Sequence, residues 1–190
     1  TDLQRLMTSE LVYTGVRRTP VCAIVHAVPL DIPRGSSIGP LVPVAAELFA
    51  TSLDVHLLNG DIQEDSSDEE TADGRPALRS ASLNRLAHQV CCDSTDLSEA
   101  QIQGIAAYVA DRQIHQIAEA IRKQLVAVRQ HVSGARSHTV QILISGSGGW
   151  LAEKAVVSLN DDGIASVTDL SVMYVRNVSA CAPAFAAAAA

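Results

Sequence analysis

The stretch Thr139–Leu151, TVQILISGSGGWL, constrains the fold most. An apolar β-type run (Val140, Ile142, Leu143, Ile144) feeds a turn of small residues, Ser145, Gly146, Ser147, Gly148 and Gly149. Helix-compatible sequence follows from Trp150. A strand that turns directly into a helix is the repeating piece of α/β architecture. Glycines let the backbone pass close to a neighbour where a Cβ would clash. A helix starting there would offer free N–H groups to an anion. The turn is not a Walker loop, because no Gly-Lys-Ser/Thr closes it, and not a GxGxxG after a first strand. Local pattern leaves two readings open: ligand contact, or a packed strand-to-helix turn.

The rest of the chain supplies the layers such a unit needs. Ile105, Val109, Ile114, Ile117, Ile121, Leu125 and Val128 recur at helical spacing, which predicts one helix over 99–131. Asp96 or Ser98 could cap its start, and Ser98 and Gln101 stand three apart, the spacing of a capping box. Helices are also predicted over 44–58, ended by Asn59-Gly60, and over 78–90 after Pro76. Residues 1–30 read as strand and turn material, with β candidates at 11–13 and 21–28 around the basic corner Arg17-Arg18-Thr19-Pro20. Residues 29–43 hold four of the seven prolines and form a loop, and the polar, acidic run 61–76 forms a second. Strand candidates at 164–167 and 172–175 and a helix over 180–190 complete the pattern. The expected divisions are 1–43 (strands and proline-rich loop), 44–138 (mainly helical insertion) and 139–190 (the α/β segment with the glycine turn), packed as one compact unit.

Charge and residue types narrow the partners. The net charge is −7, and only two of the 14 basic residues are lysines, Lys123 and Lys154. Phosphate-backbone binding needs clustered cations, so nucleic acid and anionic membranes are not expected partners. No apolar run reaches membrane-spanning length, which with reduced cysteines gives a cytoplasmic expectation. Cys91-Cys92 is not a metal knuckle, and Cys22 is expected to be buried in a strand. The six histidines show no zinc spacing and are expected to be structural or superficial. No GxSxG serine occurs, which speaks against a serine hydrolase.

Four positions are catalytic candidates. Arg17 and Arg18 could hold a phosphate through forked, charge-assisted hydrogen bonds, or simply line a solvated turn. Glu47 and Asp54 are seven apart, so on one helix they would share a face. Glu47 could deprotonate a nucleophile, whereas Asp54 reads as surface charge. Asp73, in the turn Asp73-Gly74-Arg75 before Pro76, could ligate a metal or anchor a helix. Arg75 could meet a substrate carboxylate. Tyr13 could stack on a substrate ring or pack the core.

Several motifs together resemble a known family. They are SELVYTGVRRTP (9–20), AELFAT (46–51) followed by Asp54, TADGRP (71–76), ISGSGGWLA (144–152) and the segment 179–185. They are similar to the hydantoinase/oxoprolinase-like proteins linked to tetrahydromethanopterin-dependent one-carbon transfer. That group is related to archaeal enzymes of methanofuran assembly. The resemblance implies a ribonuclease-H-like lobe of the actin/sugar-kinase/Hsp70 superfamily with a helical insertion. It implies a transferase that couples a phosphorylated aminomethylfuran unit to a glutamyltyramine-like acceptor. Arg17 and Arg18 would then face the leaving phosphate, and Glu47 or Asp73 the acceptor. Ser145–Gly149 would contact a cofactor such as ATP or another phosphate-containing ligand, and Mg²⁺ could bridge carboxylate and phosphate. The superfamily's DxGG-like turn and DIGSTTTD-like loop do not occur here. The chain is therefore expected to be a C-terminal portion, inactive by itself, whose partners are a missing N-terminal lobe, a small phosphate-containing substrate and, as an option, further copies of itself. An ATP-dependent kinase or hydrolase and a non-catalytic pathway subunit are the alternatives.

Overall fold

The computed structural model describes residues 1–30, 40–131, 139–174 and 176–181. Its elements in chain order are α1 (Asp2–Met7), α2 (Val21–Ile24), β1 (Ala27–Pro29), β2 (Leu41–Pro43), α3 (Ser52–Leu58), α4 (Arg79–His88), α5 (Glu99–His131), β3 (Val140–Ile144), α6 (Gly149–Leu159), β4 (Ile164–Asp169), α7 (Leu170–Met173) and α8 (Arg176–Ala180). This is a mixed α/β fold with one small antiparallel sheet and one small parallel sheet. The chain forms two compact units, a central one (Thr14–Gln113) and a terminal one (Thr1–Tyr13 with Ile114–Ala190).

The central unit carries the main apolar core. Val21, Val28, Val55, Leu86, Ile102, Ile105 and Val109 pack in one cluster. Ile102, Ile105 and Val109 recur every three to four residues, so α5 turns a single stripe inward. Burying such a side chain contributes roughly 1.5–3 kcal/mol. β1 and β2 pair antiparallel, with Val28 opposite Val42. They close the ends of the proline-rich loop, whose residues 31–39 lie outside the described ones.

The terminal unit contains the expected strand–turn–helix. β3 and β4 run parallel with α6 between them in sequence, a βαβ arrangement. Ile142 pairs with Val167 and Ile144 with Asp169. A two-pronged ion pair, Arg129 Nη2 to Asp161 Oδ1 at 2.9 Å and Nη1 to Oδ2 at 3.1 Å, fastens the end of α5 to the turn before β4. α5 itself begins as expected: Gln101 N–H donates to Ser98 Oγ at 3.3 Å, and Ser98 N–H donates to Gln101 Oε1 at 2.9 Å.

Several expectations are corrected. The predicted helix over 44–58 survives only as α3. Gln89, fully buried just past α4, takes over the backbone groups that a helix would pair internally. Its Nε2 donates to Ala45 O at 2.6 Å, its Oε1 accepts from Ala50 N at 3.3 Å, and its own carbonyl accepts from Ala45 N at 2.8 Å. Glu47 therefore sits exposed in an irregular segment and does not open a helix. The apolar run 21–28 splits into α2 and β1 instead of one strand. Pro20 is fixed at φ −59°, Val21 N–H goes to Ala50 O, and Val25 N–H closes a helical turn on Val21 O. Cys22 lies on that turn, half-buried and not in a strand core. Residues 11–13 form no strand, and Tyr13 is 90% exposed, so it does not pack the core. α1 was not expected; the Thr1–Gln4 capping box marks its start. No strand forms over the described residues of the expected 172–175 run: Val172 and Met173 lie in the helical turn α7, which Asp169 caps by accepting from Ser171 N at 2.7 Å through Oδ1. Val175 and residues 182–190, most of the expected C-terminal helix, lie outside the described residues.

Candidate functional site

The central unit gathers its polar chemistry around Arg85, on α4. Arg85 is 1% exposed and its fork is almost fully used. Nε donates to Asp54 Oδ1 at 2.6 Å, Nη2 to Ser82 Oγ at 3.1 Å, and Nη1 to Asp73 Oδ1 at 2.9 Å and Arg75 O at 3.4 Å. Asp54 is fully buried. It also accepts from Ser82 Oγ at 2.8 Å and, through Oδ2, from Thr51 N at 2.9 Å, which ties the start of α3 to α4. The expected surface charge at Asp54 is thus half of a buried ion pair, and it shares no helix face with Glu47. A buried charge persists only when paired and hydrogen-bonded, and this network meets that condition.

Asp73 is the bridge from this network to the acidic loop. Burial alone would raise its carboxyl. Hydrogen bonds from the Arg75 side chain and backbone, and from Arg85, outweigh burial and hold it at about 2. Asp73 therefore stays ionised through the neutral range and is a poor proton acceptor. Its folded value lies below the unfolded value of 3.8. The sign follows: this carboxylate stabilises the fold above about pH 4, and the contribution disappears as pH falls through about 2. Asp73→Asn should cost roughly 2 kcal/mol at neutral pH and little at pH 2. Urea unfolding of both proteins across that range checks this; an equal gap at both ends would refute it.

Arg17 and Arg18 reach the same loop. Arg17 pairs with Asp68 and holds that carboxyl below the usual range. Arg18 meets Glu70 at 3.1 Å with both side chains largely exposed. The structure thus brings Arg17, Arg18 and Asp73 onto one loop, 61–77. The contacts of Glu47 run through its backbone, which accepts from Gln89 Nε2 at 3.4 Å.

The glycine turn belongs to the terminal unit. Gly146 adopts φ +96°, a left-handed conformation that favours glycine, and its N–H goes to Ser179 O at 3.0 Å. A Cβ on Gly149 would come within 3.2 Å of Ile144 Cγ2 and 3.5 Å of Asp169 Oδ2. The close approach there brings the start of α6 onto the ends of β3 and β4. The N–H groups of Gly149 and Leu151 bond back to Gly146 O and Gly148 O. No side chain caps α6 at Gly148. The turn stands at the carboxyl ends of two parallel strands, where open α/β sheets take ligands. A groove of about 330 Å³, lined by Val12, Ile117, Ile121, Leu125, Val140 and Ile142 among others, contains none of the candidate residues.

Among the described residues, no three of the histidines, cysteines, aspartates and glutamates come together as a metal site. No described helix is long and apolar enough to cross a membrane. Sequence reading missed Arg85, Ser82 and the buried His56–Gln113 pair. A signal was present: Asp54 and His56 interrupt the apolar run Leu53–Leu58.

Two known proteins resemble the chain. It is 26% identical over 188 residues to the (4-{4-[2-(gamma-L-glutamylamino)ethyl]phenoxymethyl}furan-2-yl)methanamine synthase of Methanocaldococcus jannaschii, an alignment covering 99% of this chain and 50% of that protein. It is 27% identical over 185 residues to the synthase of the same name from Methanococcus vannielii, covering 97% of this chain and 76% of that one. The chain is a distant homologue of these synthases and spans about half the length of the first. No family model matches it.

Proposed function

We propose that this chain is part of an enzyme that forms an aryl ether, joining a phosphorylated aminomethylfuran to a glutamyltyramine-like phenol. The observation that carries this reading is the alignment of nearly the whole chain with two synthases whose name describes a phenoxymethyl-furan product. The phenolic O–H loses its proton, the oxygen attacks the furan methylene carbon, and the C–O bond to phosphate breaks with its electrons leaving on phosphate. The leaving group needs cations and the phenol needs a base.

Arg18 suits the first task. Its exposed pairing with Glu70 is worth at most about 1 kcal/mol, so a phosphate could replace that carboxylate at little cost. Arg17 would assist from its place beside Asp68. Glu47, exposed and outside the Arg85 network, is the better base. Asp73, held at about 2, would anchor the loop to Arg75 and Arg85 and not accept the proton. No described carboxylate cluster fits a metal, so no step is assigned to Mg²⁺.

The α6 turn supports a second reading within the proposed ribonuclease-H-like lobe. Ser145–Gly149 at the carboxyl ends of parallel strands would take the phosphates of a nucleotide such as ATP.

The test is mass spectrometry on the longest natural form of the protein. The substrates are aminomethylfuran phosphate or diphosphate and γ-glutamyltyramine, with and without ATP. Ether product without nucleotide turnover supports the coupling reading. Arg18→Ala should then raise KM for the phosphorylated substrate by roughly 10-fold or more, the worth of one charge-assisted bond. ATP consumption without ether product favours the nucleotide reading. A folded protein inactive in both is the outcome expected of a non-catalytic subunit.

A further inference from the structure

The chain passes between its two units at Tyr13–Thr14 and at Gln113–Ile114. Within the central unit these two points are tied together. Gln113 is fully buried, and its Nε2 lies 2.7 Å from Thr14 Oγ1 and 2.9 Å from Gly15 O. A carbonyl oxygen has no hydrogen, so Gln113 must turn its amino group toward Gly15. That leaves Oε1 facing His56 Nε2 at 2.9 Å. Oε1 only accepts, so Nε2 must carry a proton. The other ring nitrogen, Nδ1, lies 3.1 Å from Asp61 Oδ2, which as a carboxylate also only accepts.

We propose that His56 is a buried imidazolium, protonated on both nitrogens, and that it is a positioning residue holding Gln113 against the Thr14–Gly15 turn. Either neutral tautomer would set a lone pair against a lone pair, at Asp61 or at Gln113, around a ring that is itself fully buried. Local structure favours the cation twice more. His56 stands in the last turn of α3, where the helix dipole is negative. Asn59 and Gly60 (φ +76°) then turn the chain so that Asp61 N–H bonds His56 O at 2.8 Å, bringing the Asp61 carboxylate back over the ring. Asp61 supplies negative charge from this turn, and from α5 His56 meets the neutral Gln113, which is itself bonded to Thr14 and Gly15. The turn leads within two residues to Arg17, so the network sets where the arginine segment begins. Only that last consequence rests on the proposed function.

A ring-nitrogen ¹⁵N spectrum at pH 8 tests the charge state, because exposed imidazoles titrating near about 6.5 are neutral there. One histidine should retain two protonated nitrogens and lose that state in Asp61→Asn. Six neutral rings in the wild-type protein, or an imidazolium indifferent to Asp61→Asn, would overturn the proposal. The wild-type spectrum decides this even if a variant fails to fold, and it does so whatever the activity assay returns. Hydrogen exchange tests the clamp. In Gln113→Leu, amides of residues 14–19 should exchange at least about tenfold faster while α4 stays protected. Unchanged exchange at 14–19 would overturn the positioning role.

Discussion

Arg85→Ala should lower the unfolding free energy by about 3–5 kcal/mol, a large share of the roughly 5–15 kcal/mol that holds a domain together. The cost comes from what stays behind. Asp54 would keep its backbone bond from Thr51 and its bond from Ser82, yet its charge would be buried without a cation. Asp73 would lose one of its two guanidinium partners. Replacing both ends with apolar groups, as in Asp54→Leu with Arg85→Met, should recover part of the loss, because the unpaired charge is then gone. Recovery should stop short of the wild type, since an apolar side chain in place of Asp54 cannot accept from the Thr51 N–H. Urea unfolding followed by circular dichroism measures all three proteins. A loss under about 1 kcal/mol in Arg85→Ala would mean that water reaches Asp54, and the buried-pair account would be wrong.

The second large effect concerns α5, whose two ends carry isoleucines in different surroundings. Ile105 is fully buried in the main core, whereas Ile121 is only half-buried beside an apolar groove. Ile105→Ala should cost about 2–5 kcal/mol from lost burial plus the cavity left behind. Ile121→Ala removes the same atoms from the same helix, so helix propensity is matched. It should cost less than half as much. Equal losses would show that packing is spread evenly along α5. The comparison also tests why the terminal unit exposes Leu143 (65%), Val157 (72%) and Val172 (84%), while the described main core cluster lies within the central unit.

Much of the secondary structure was legible. The bounds of α5 followed from a 3.6-residue stripe and the Ser98–Gln101 pair, and β3–α6 from an apolar run, a glycine turn and renewed helical spacing. Less of the candidate site was legible. Arg17, Arg18 and Asp73 do meet on one loop, but Arg17 is already paired with Asp68, and Asp73 is too strongly held to serve as a base. Glu47 was placed on a helix that Gln89 dismantles from 42 residues away. No periodicity in 44–50 could reveal that its backbone partners lie on another element.

The sequence by itself determined α5 and the β3–turn–α6 unit, because their signals lie among residues within about four positions of each other. It also set the net charge of −7 and the shortage of lysine. Tertiary structure alone decided the meaning of the polar residues. Asp54 meets Arg85 across 31 positions, and His56 meets Gln113 across 57. The physical reason is that burial sets the worth of a charge or a ring nitrogen, and burial depends on elements brought together from far along the chain. A carboxylate worth almost nothing on a helix surface becomes, at the same position inside the core, the anchor between α3 and α4.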